Sequence, residues 1–519
     1  MTFLEPGRTC WRSEHADRVA FLVDTQDYFA AARLALSRAK RQILLLGWSF
    51  DPRTRLQPDG IDAEVEPDSI GRFLITLGQE RPDLDIRVLM WKSALPVAIS
   101  QEFFPHRAQA WFLGTRVNFR LDDAVPMGGC HHQKVLVIDD AVAFCGGGDI
   151  CADRWDTLAH LDADSRRLDP GHGFHAPRHE VVMMMDGAAA AALGDLARER
   201  WRRATGETLP PPARGSDDPW PPEIRPSLAD AQVAVVRTEP AWRDAQAVCE
   251  WRALTLRSIL EARRLIYLEN QYFTSPVIAE ALAKRLAEPD GPEVVLISTQ
   301  HSPSYFDKAT MDRARALALR RLREADVFGR FRAFFPTTQA GRAVLVHAKV
   351  TVIDDRLARI GSANLNNRSG GLDTECEVAV EAANDRTAAA ISHLRNTLAG
   401  HYLGRSAADV SQAMERQGGL IGALGSLNHH GRLRPIEPPK FGRAGRLIAA
   451  YHLGDPADVD DLWRPWKRQR KLGAQVRAVA SSHPCPPDQL GWRDAGPVDV
   501  DAPAPLNSGS LLLAVRDDV

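Results

Sequence analysis

The chain has 519 residues, 44% of them hydrophobic and 25% charged, which is the composition of a soluble globular protein too long for one ordinary domain. Its 65 Lys and Arg nearly balance its 67 Asp and Glu, so the net charge of -2 does not support a nucleic-acid partner. No apolar run approaches the ~20 residues that a membrane-spanning helix needs.

The N-terminal segment and the cysteines bear on the cellular compartment. Residues 1–18 are rich in charged and polar side chains and lack the apolar core and small-residue cleavage site of a secretory signal. The 7 cysteines are scattered and contain no Cys-x-x-Cys pair, so we expect reduced thiols. The sequence therefore predicts a cytoplasmic protein, with peripheral binding to a membrane left open.

Two halves of the chain repeat one order of predicted elements. In each half an amphipathic helix runs into a buried strand, a second apolar strand follows, and a third strand leads to a turn of small residues. These segments are 28–47, 86–91, 131–139 and 146–149 in the first half, and 250–268, 293–298, 346–354 and 361–364 in the second. Strands that alternate with helices predict two homologous α/β/α domains.

Composition predicts where these units end. A helix at 188–204 closes the first unit, and Pro, Gly and Asp are frequent after it. The predicted units are a first domain at 1–206, a linker at 207–231, a second domain at 232–404, an irregular appendage at 405–481 and a disordered, proline-rich tail at 482–519.

The third strand of each half carries the same three polar residue types. They are His132, Lys134 and Asp139 in the first half, and His347, Lys349 and Asp354 in the second. Residues two apart on a strand share a face, so each histidine points with its lysine, whereas the aspartate faces away if the strand continues. One copy fits a buried histidine beside a solvated lysine. Two complete copies predict a catalytic site.

These residue types suit the cleavage of a phosphodiester. The negative charge of the diester repels nucleophiles, and the two lysines supply cations for its non-bridging oxygens. One neutral imidazole can attack phosphorus while the other, protonated, gives its proton to the leaving oxygen and later deprotonates water or an alcohol. Such chemistry needs no cofactor and no metal. His172, His175 and His179 are close in sequence, but without a second cluster they predict solvated loop histidines rather than a zinc site.

The motifs resemble those of the phospholipase D superfamily, over residues from about 19 to about 404. FCGGGDICADRWDT at 144–157 and IYLENQYF at 266–273 resemble segments of the branch that cleaves phospholipids, and GSANLNNRSGGLDTE at 361–375 is similar to the stretch after the second motif. The resemblance implies two α/β/α domains in one chain with the active site at their interface. It also implies hydrolysis or transphosphatidylation of glycerophospholipids through a phosphohistidine, with release of phosphatidic acid.

The resemblance also implies roles for individual residues. His132 is expected to be the nucleophile and His347 the general acid and base. The six signature residues form the expected catalytic set, although Asp139 and Asp354 have a supporting role as the alternative. Further residues are expected to bind the substrate or orient the histidines: Lys134, Lys349, Asp149, Ser362 and Asn364 for the phosphate pocket, and Glu180 and Glu375 for the imidazoles. Which glutamate serves which histidine is left open.

The expected partners are a phospholipid at a membrane surface and water or an alcohol as acceptor, with no nucleic acid. A monomer is expected because one chain carries both motifs. Trp463, Trp466 and the basic run 467–471 are candidate membrane contacts, with a solvated helix end as the alternative. Alternative functions are a cardiolipin-synthase-like phosphatidyltransferase, a nuclease or other phosphodiesterase, and an inactive lipid-binding scaffold. Near-neutral charge argues against a nuclease, and the intact motifs argue against a scaffold.

Overall fold

A computed structural model describes residues 2–58, 69–93, 104–169, 173–213, 215, 218–439 and 441–481. The predicted tail and His172 lie outside these ranges. The strands are β1 Arg12–Val23, β2 Gln42–Gly47, β3 Asp85–Trp91, β4 Val117–Asp122, β5 Val135–Ile138, β6 Val142–Gly146, β7 Leu168–Asp169, β8 Gly173–Phe174, β9 Arg178–His179, β10 Val181–Asp186, β11 Leu228–Glu239, β12 Val248–Cys249, β13 Leu265–Glu269, β14 Glu293–Ile297, β15 Phe331–Pro336, β16 Leu345–Val346, β17 Val350–Ile353, β18 Leu357–Gly361, β19 Glu375–Glu381 and β20 Leu433–Pro435. The helices are α1 Thr25–Ser37, α2 Ile70–Glu80, α3 Pro105–Trp111, α4 Gly187–Thr205, α5 Glu250–Glu261, α6 Pro276–Leu286, α7 Tyr305–Ala325, α8 Asp385–His401, α9 Ala407–Gln417, α10 Leu420–Leu427, α11 Arg443–Ala450 and α12 Pro465–Ser481.

A single sheet of 16 strands runs through both halves of the described chain. Its middle is the antiparallel pair of β1 and β11, in which Arg12 lies opposite Val235 and Val19 opposite Leu228. Outward from this pair the first half runs β1-β10-β6-β5-β2-β3-β4, and the second half runs β11-β19-β18-β17-β13-β14-β15. The two orders correspond strand for strand. The expected α/β fold built from two homologous units is therefore confirmed, with both units joined in one sheet.

Helices cover both faces of this sheet, which explains why its inner strands are apolar on both sides. Every residue of β10 and of β17 is buried. On one face α4 and α8 pack in a core drawn from both halves, which includes Leu193 and Leu398. On the other face each half has its own core, under α1 and α2 in the first and under α5, α6 and α7 in the second.

The predicted helix–strand units are present as α1 with β2 and as α5 with β13. Two boundaries differ. Strand β11 begins at Leu228, inside the predicted linker, because it pairs with β1. The segment 405–481, expected to be irregular, contains four helices and a strand, β20, which extends the sheet beside β15. Within the described ranges, none of the helices combines the length and the hydropathy required to cross a bilayer.

The third strands are shorter than predicted. β5 begins at Val135 and β17 at Val350, so the histidine and lysine of each motif precede the regular strand. Their backbone is still extended, but it bonds to the opposite half of the molecule instead of to a strand of its own half. This departure from the sheet brings the two motifs together.

Candidate active site

Each motif histidine is aligned by backbone hydrogen bonds with a segment of the opposite half. His132 N donates to Thr374 O at 3.0 Å, and Thr374 N donates to Cys130 O at 3.0 Å. On the other side of the site His347 N donates to His179 O at 2.9 Å, next to the parallel pair of β9 and β16. Each histidine therefore lies beside the residue that precedes a glutamate of the other half.

Those glutamates bind the imidazoles in a crossed arrangement. Nδ1 of His132 lies 2.9 Å from Oε2 and 3.1 Å from Oε1 of Glu375. Nδ1 of His347 lies 2.7 Å from Oε1 of Glu180, an ion-pair distance at which the two groups lack hydrogen-bond geometry. A carboxylate only accepts, so it holds the proton on Nδ1 and leaves Nε2 for chemistry. The sequence left this pairing open, and the structure gives it: each glutamate holds the histidine of the other half.

The two carboxylates have different surroundings. Glu375 accepts hydrogen bonds from the hydroxyls of Ser362 and Ser369. Glu180 accepts from Arg178 Nε at 3.2 Å, and its Oε2 has no hydrogen-bond partner among the described residues. Burial opposes the charge of Glu375, but the charge of His132 and the hydrogen bonds of His132 and the two serines outweigh it and lower the pKa of Glu375.

A glycine replaces the serine in the first half for a steric reason. Gly147 occupies the position that corresponds to Ser362. A Cβ atom on Gly147 would lie 2.9 Å from Glu180 Oε2 and 3.0 Å from His347 O, closer than ordinary packing allows. The turn of the first half must therefore lack a side chain so that the second motif can approach it. Glu180 consequently has no hydroxyl donor at this position.

The lysines lie beneath the histidines of their own motifs. Lys134 Nζ donates to His132 O at 2.8 Å and lies 3.3 Å from Asp149 Oδ2. Lys349 Nζ donates to His347 O at 2.5 Å. Burial, together with the charges of Lys134 and Arg178, lowers the pKa of Lys349 to about 7 although Glu180 opposes the shift. The two buried amino groups favour the binding of an anion beside them.

Two arginines near His347 were not predicted from the sequence. Burial, and then the charges of Lys349, Arg178 and Arg154, lower the pKa of His347 well below its ordinary value. Arg178 is buried against Glu180, and Arg154 forms an ion pair with Asp153. The repeat gave no signal for Arg178, because Asp373 stands at the corresponding place before Glu375. The site thus combines two histidines, two lysines and nearby arginine charge.

Comparisons with known proteins point to one superfamily. A family model described as "Cardiolipin synthase, PLD-like domain" matches residues 255–399. Phospholipase D A of Dictyostelium discoideum is 23% identical over 424 residues, which cover 69% of this chain and 32% of that protein. Cardiolipin synthase A of Pseudomonas aeruginosa is 27% identical over 383 residues, which cover 70% of this chain and 63% of that protein. These matches support the phospholipase D superfamily for this chain.

A solved structure agrees with the superfamily at the level of the fold. The crystal structure of phosphatidylserine synthase from Haemophilus influenzae superposes with a TM-score of 0.53 at 15% identity, covering 83% of this chain and 94% of that one. The chain spans about a third of the length of the Dictyostelium phospholipase D that it matches.

The three residues expected to bind substrate have different surroundings. Asp149 Oδ1 accepts from the backbone of Trp48 at 2.8 Å and its Oδ2 faces Lys134, so it positions that lysine. Asn364 Oδ1 is buried without a hydrogen-bond partner among the described residues, and it remains a candidate for ligand binding. The hydroxyl of Ser362 donates to Glu375 and so supports that carboxylate, and its contact with substrate stays a prediction.

The signature aspartates lie at the far end of their strands from the histidines. Asp139 accepts from the backbone N–H groups of residues 40–42, and Asp354 accepts from those of residues 263–265. Both adopt a left-handed backbone, with φ of 56° and 52°. These contacts fasten the turn after the motif to the start of β2 or β13. They favour the supporting role over direct catalysis.

The predicted loop histidines do not act as one group. His175 lies 3.1 Å through Nδ1 from the carbonyl of Ala176. His179 is buried, with Nδ1 2.8 Å from Asp24 Oδ1 and Nε2 2.9 Å from Glu269 Oε2. Glu269 is the fourth residue of the IYLENQYF stretch at 266–273, so this segment of the second half contributes to the contact between halves.

Proposed function

We propose that the protein hydrolyses or transphosphatidylates glycerophospholipids through a phosphohistidine. The observation that carries the proposal is the crossed pair of imidazoles, each held at Nδ1 by a buried glutamate of the other half and each next to a buried lysine. In the first step Nε2 of His132 forms a bond to phosphorus, the bond from phosphorus to the head-group oxygen breaks, and that oxygen takes a proton from His347. In the second step His347 removes a proton from water or an alcohol, whose oxygen displaces the histidine and yields phosphatidic acid or an exchanged lipid.

The surroundings of the two glutamates support His132 as the nucleophile. A phosphohistidine that keeps its Nδ1 proton is cationic, and Glu375, whose pKa is lowered by His132 and two serines against the effect of burial, stays ionised beside it. His347, as the general acid, must instead give up its proton. Burial and the neighbouring cations lower its pKa, so it releases a proton readily once the bound phosphodiester has offset those cations and allowed protonation. Lys134, Lys349 and Asn364 are proposed to bind the non-bridging oxygens.

Exposed aromatic side chains support a lipid substrate. Tyr305 and Phe306 at the start of α7 are 89% and 63% exposed, and Trp463 and Trp466 are 73% and 55% exposed. Leu462, next to Trp463, packs against Gly128 in the loop before the first motif. Aromatic side chains with apolar bodies suit the boundary between lipid head groups and acyl chains.

The basic run at 467–471 gives less support. Arg468 is buried and donates to Asp461 at 2.9 Å, and Lys471 forms an ion pair with Asp458. Lys467 lies 3.5 Å from Asp460. These contacts favour the alternative of a helix end with its own charge partners. The proposed membrane contact therefore rests on the aromatic residues.

A second candidate is a phosphatidyltransferase with a lipid alcohol as acceptor. It is favoured by the family model, whose description names cardiolipin synthase, and by the relative from Pseudomonas aeruginosa. The same two-step chemistry serves both candidates, since only the acceptor of the second step differs.

The test is turnover of mixed phosphatidylcholine, phosphatidylethanolamine and phosphatidylglycerol vesicles with and without ethanol. We expect phosphatidic acid without ethanol, phosphatidylethanol with it, and no product from His132→Ala or His347→Ala. His393→Ala, which changes an exposed histidine on α8, is the matched control and keeps full activity. Cardiolipin as the main product would favour the phosphatidyltransferase over the phospholipase. Cleavage of a soluble phosphodiester but of no lipid would refute the phospholipid substrate.

A further inference from the structure

A second group of histidines lies buried behind the active site. Asp24, His160, His179 and His401 each offer one ligand atom, and these atoms lie within 4.8 Å of one another. Asp24 follows β1 and His160 lies in the loop before β7, whereas His401 ends α8 of the second half. Asp24, His160 and His179 are at most 1% exposed. None of these residues has a role in the proposed catalytic steps.

The hydrogen bonds of two of these histidines fix where their protons are. His401 Nδ1 lies 2.7 Å from the carbonyl oxygen of Leu398, which can only accept, so Nδ1 carries the proton. His160 Nδ1 lies 2.9 Å from Oδ2 of Asp156, and a carboxylate likewise accepts. In a neutral ring this leaves a lone pair on Nε2 of both histidines.

Three acceptors then converge without a proton between them. Nε2 of His160, Nε2 of His401 and Oδ2 of Asp24 are all buried, and none has a hydrogen-bond partner among the described residues. Leaving a buried acceptor unpaired costs about 1–3 kcal/mol for each group. A cation bound by all three would remove this cost.

The spacing and the anchoring of the rings suit a transition-metal ion. Asp24 Oδ2 lies 3.6 Å from His160 Nε2, and two ligands of a tetrahedral zinc ion with bonds of about 2.0–2.1 Å lie about 3.3 Å apart. Metal-binding histidines regularly donate their second N–H to a carboxylate or a carbonyl, as His160 and His401 do here. His179 holds the other oxygen of Asp24 and keeps that carboxylate in place.

We propose that Asp24, His160 and His401 bind a divalent transition-metal ion, with Zn²⁺ as the best fit to two imidazoles and one carboxylate. The ion has a structural role, because its ligands come from both halves of the chain. It would also fix the segment behind the catalytic acid, since His179 O accepts from the backbone N–H groups of His347 and Ala348. The site is independent of the proposed lipid chemistry.

The experiment measures metal content and stability on the full chain, purified without a polyhistidine tag. After dialysis and exposure to Zn²⁺ we expect about one zinc per chain by plasma mass spectrometry, and at least tenfold weaker binding in His160→Gln and His401→Gln. His393→Gln, an exposed position on the same helix as His401, is the control and retains the metal. Because the ligand variants could misfold, a second measurement uses wild type: a chelator should lower Tm by several degrees, and zinc should restore it.

Either of two results would overturn the metal site. The first is a folded wild type whose Tm is insensitive to chelator and which binds neither Zn²⁺ nor Co²⁺, Mn²⁺ or Fe²⁺ more tightly than about 10 μM. In that case a buried water donates to two of the three acceptors. The second is equal metal loss in the His393→Gln control. Loss of lipid turnover with the metal retained would count against the proposed function alone.

Discussion

At the scale of single residues, the two imidazoles proposed to be catalytic differ because their carboxylates differ. Glu375 accepts two serine hydroxyls, whereas Glu180 accepts from an arginine and has one oxygen without a partner among the described residues. The first half cannot carry a serine at the position of Gly147, as the second half does at Ser362, because a side chain there would collide with Glu180 and with the backbone of His347. A duplicated motif has thus become two chemically different groups.

The crossed pairing predicts which histidine responds to each glutamate. Glu375→Gln should change the imidazole ¹⁵N signals of His132 and leave those of His347 in place, and Glu180→Gln should do the reverse. We expect kcat to fall by about 10²–10⁴ in both, since a glutamine cannot balance an imidazolium. The measurement is ¹⁵N NMR of labelled histidines with kinetics alongside. A response of each histidine to the glutamate of its own half would contradict the pairing.

We expect a substitution of Lys349 to abolish turnover and at the same time to stabilise the folded protein. Burial and neighbouring cations lower its pKa to about 7 in the folded protein, whereas the unfolded value is the ordinary 10.5. Between these values only the unfolded chain binds the proton, so stability is lost as pH falls from about 10 to 7. Lys349→Met should therefore abolish turnover and raise Tm by about 2 °C at pH 7, with a smaller gain at pH 9.5.

The control for that series is Lys40→Met, which removes an exposed lysine. Its Tm should differ little from that of wild type, and the difference should not depend on pH. A lower Tm for Lys349→Met at pH 7 would mean that the contacts of this lysine outweigh its burial. Scanning calorimetry over the pH series makes the measurement.

The sequence predicted the residues of the site better than their partners. His132, His347 and their lysines could be identified because the repeat places them in register with a strand. Arg178 is not repeated, because Asp373 stands at the corresponding place in the second half, so no pattern singled it out. The pairing of His132 with Glu375 joins residues 243 positions apart, and only the three-dimensional arrangement of the halves determines it.

At the scale of elements, we expect substitutions of the signature aspartates to lower stability while changing catalysis little. Asp139→Asn and Asp354→Asn each weaken hydrogen bonds to three backbone N–H groups at the start of β2 or β13. We expect the free energy of unfolding to fall by about 1–3 kcal/mol while kcat of the folded enzyme changes less than about threefold. Denaturant unfolding and kinetics measure the two quantities, with the exposed Asp83→Asn as control. A large loss of kcat without loss of stability would restore a direct catalytic role.

Elements were predictable where one periodicity ran over enough residues. The helix–strand units at α1 with β2 and at α5 with β13 follow from an amphipathic stretch that leads into an apolar run. The ends of β5 and β17 were not predictable, because the extended residues before them bond to the opposite half. The helices of 405–481 were missed since proline, glycine and charged residues interrupt their short apolar patterns.

At the scale of the whole molecule, the duplication forms one sheet around the β1–β11 pair, with a core that both halves share under α4 and α8. This arrangement places each motif next to the glutamate of the other half. Neither half contains a complete site, because each histidine depends on a carboxylate from its partner half. The repeat in the sequence predicted two related units, but it contained no information on which edge of each unit pairs.

The most direct test of the account is to locate the covalent intermediate. Phosphatidyl-p-nitrophenol has a leaving group that needs no acid, so His347→Asn should still release about one equivalent of nitrophenolate in a burst and then stop. Rapid quenching and peptide mass spectrometry should find the phosphatidyl group on His132, and His132→Asn should give no burst. A phosphatidyl group on His347, or a burst that persists in His132→Asn, would contradict the assignment of nucleophile and acid.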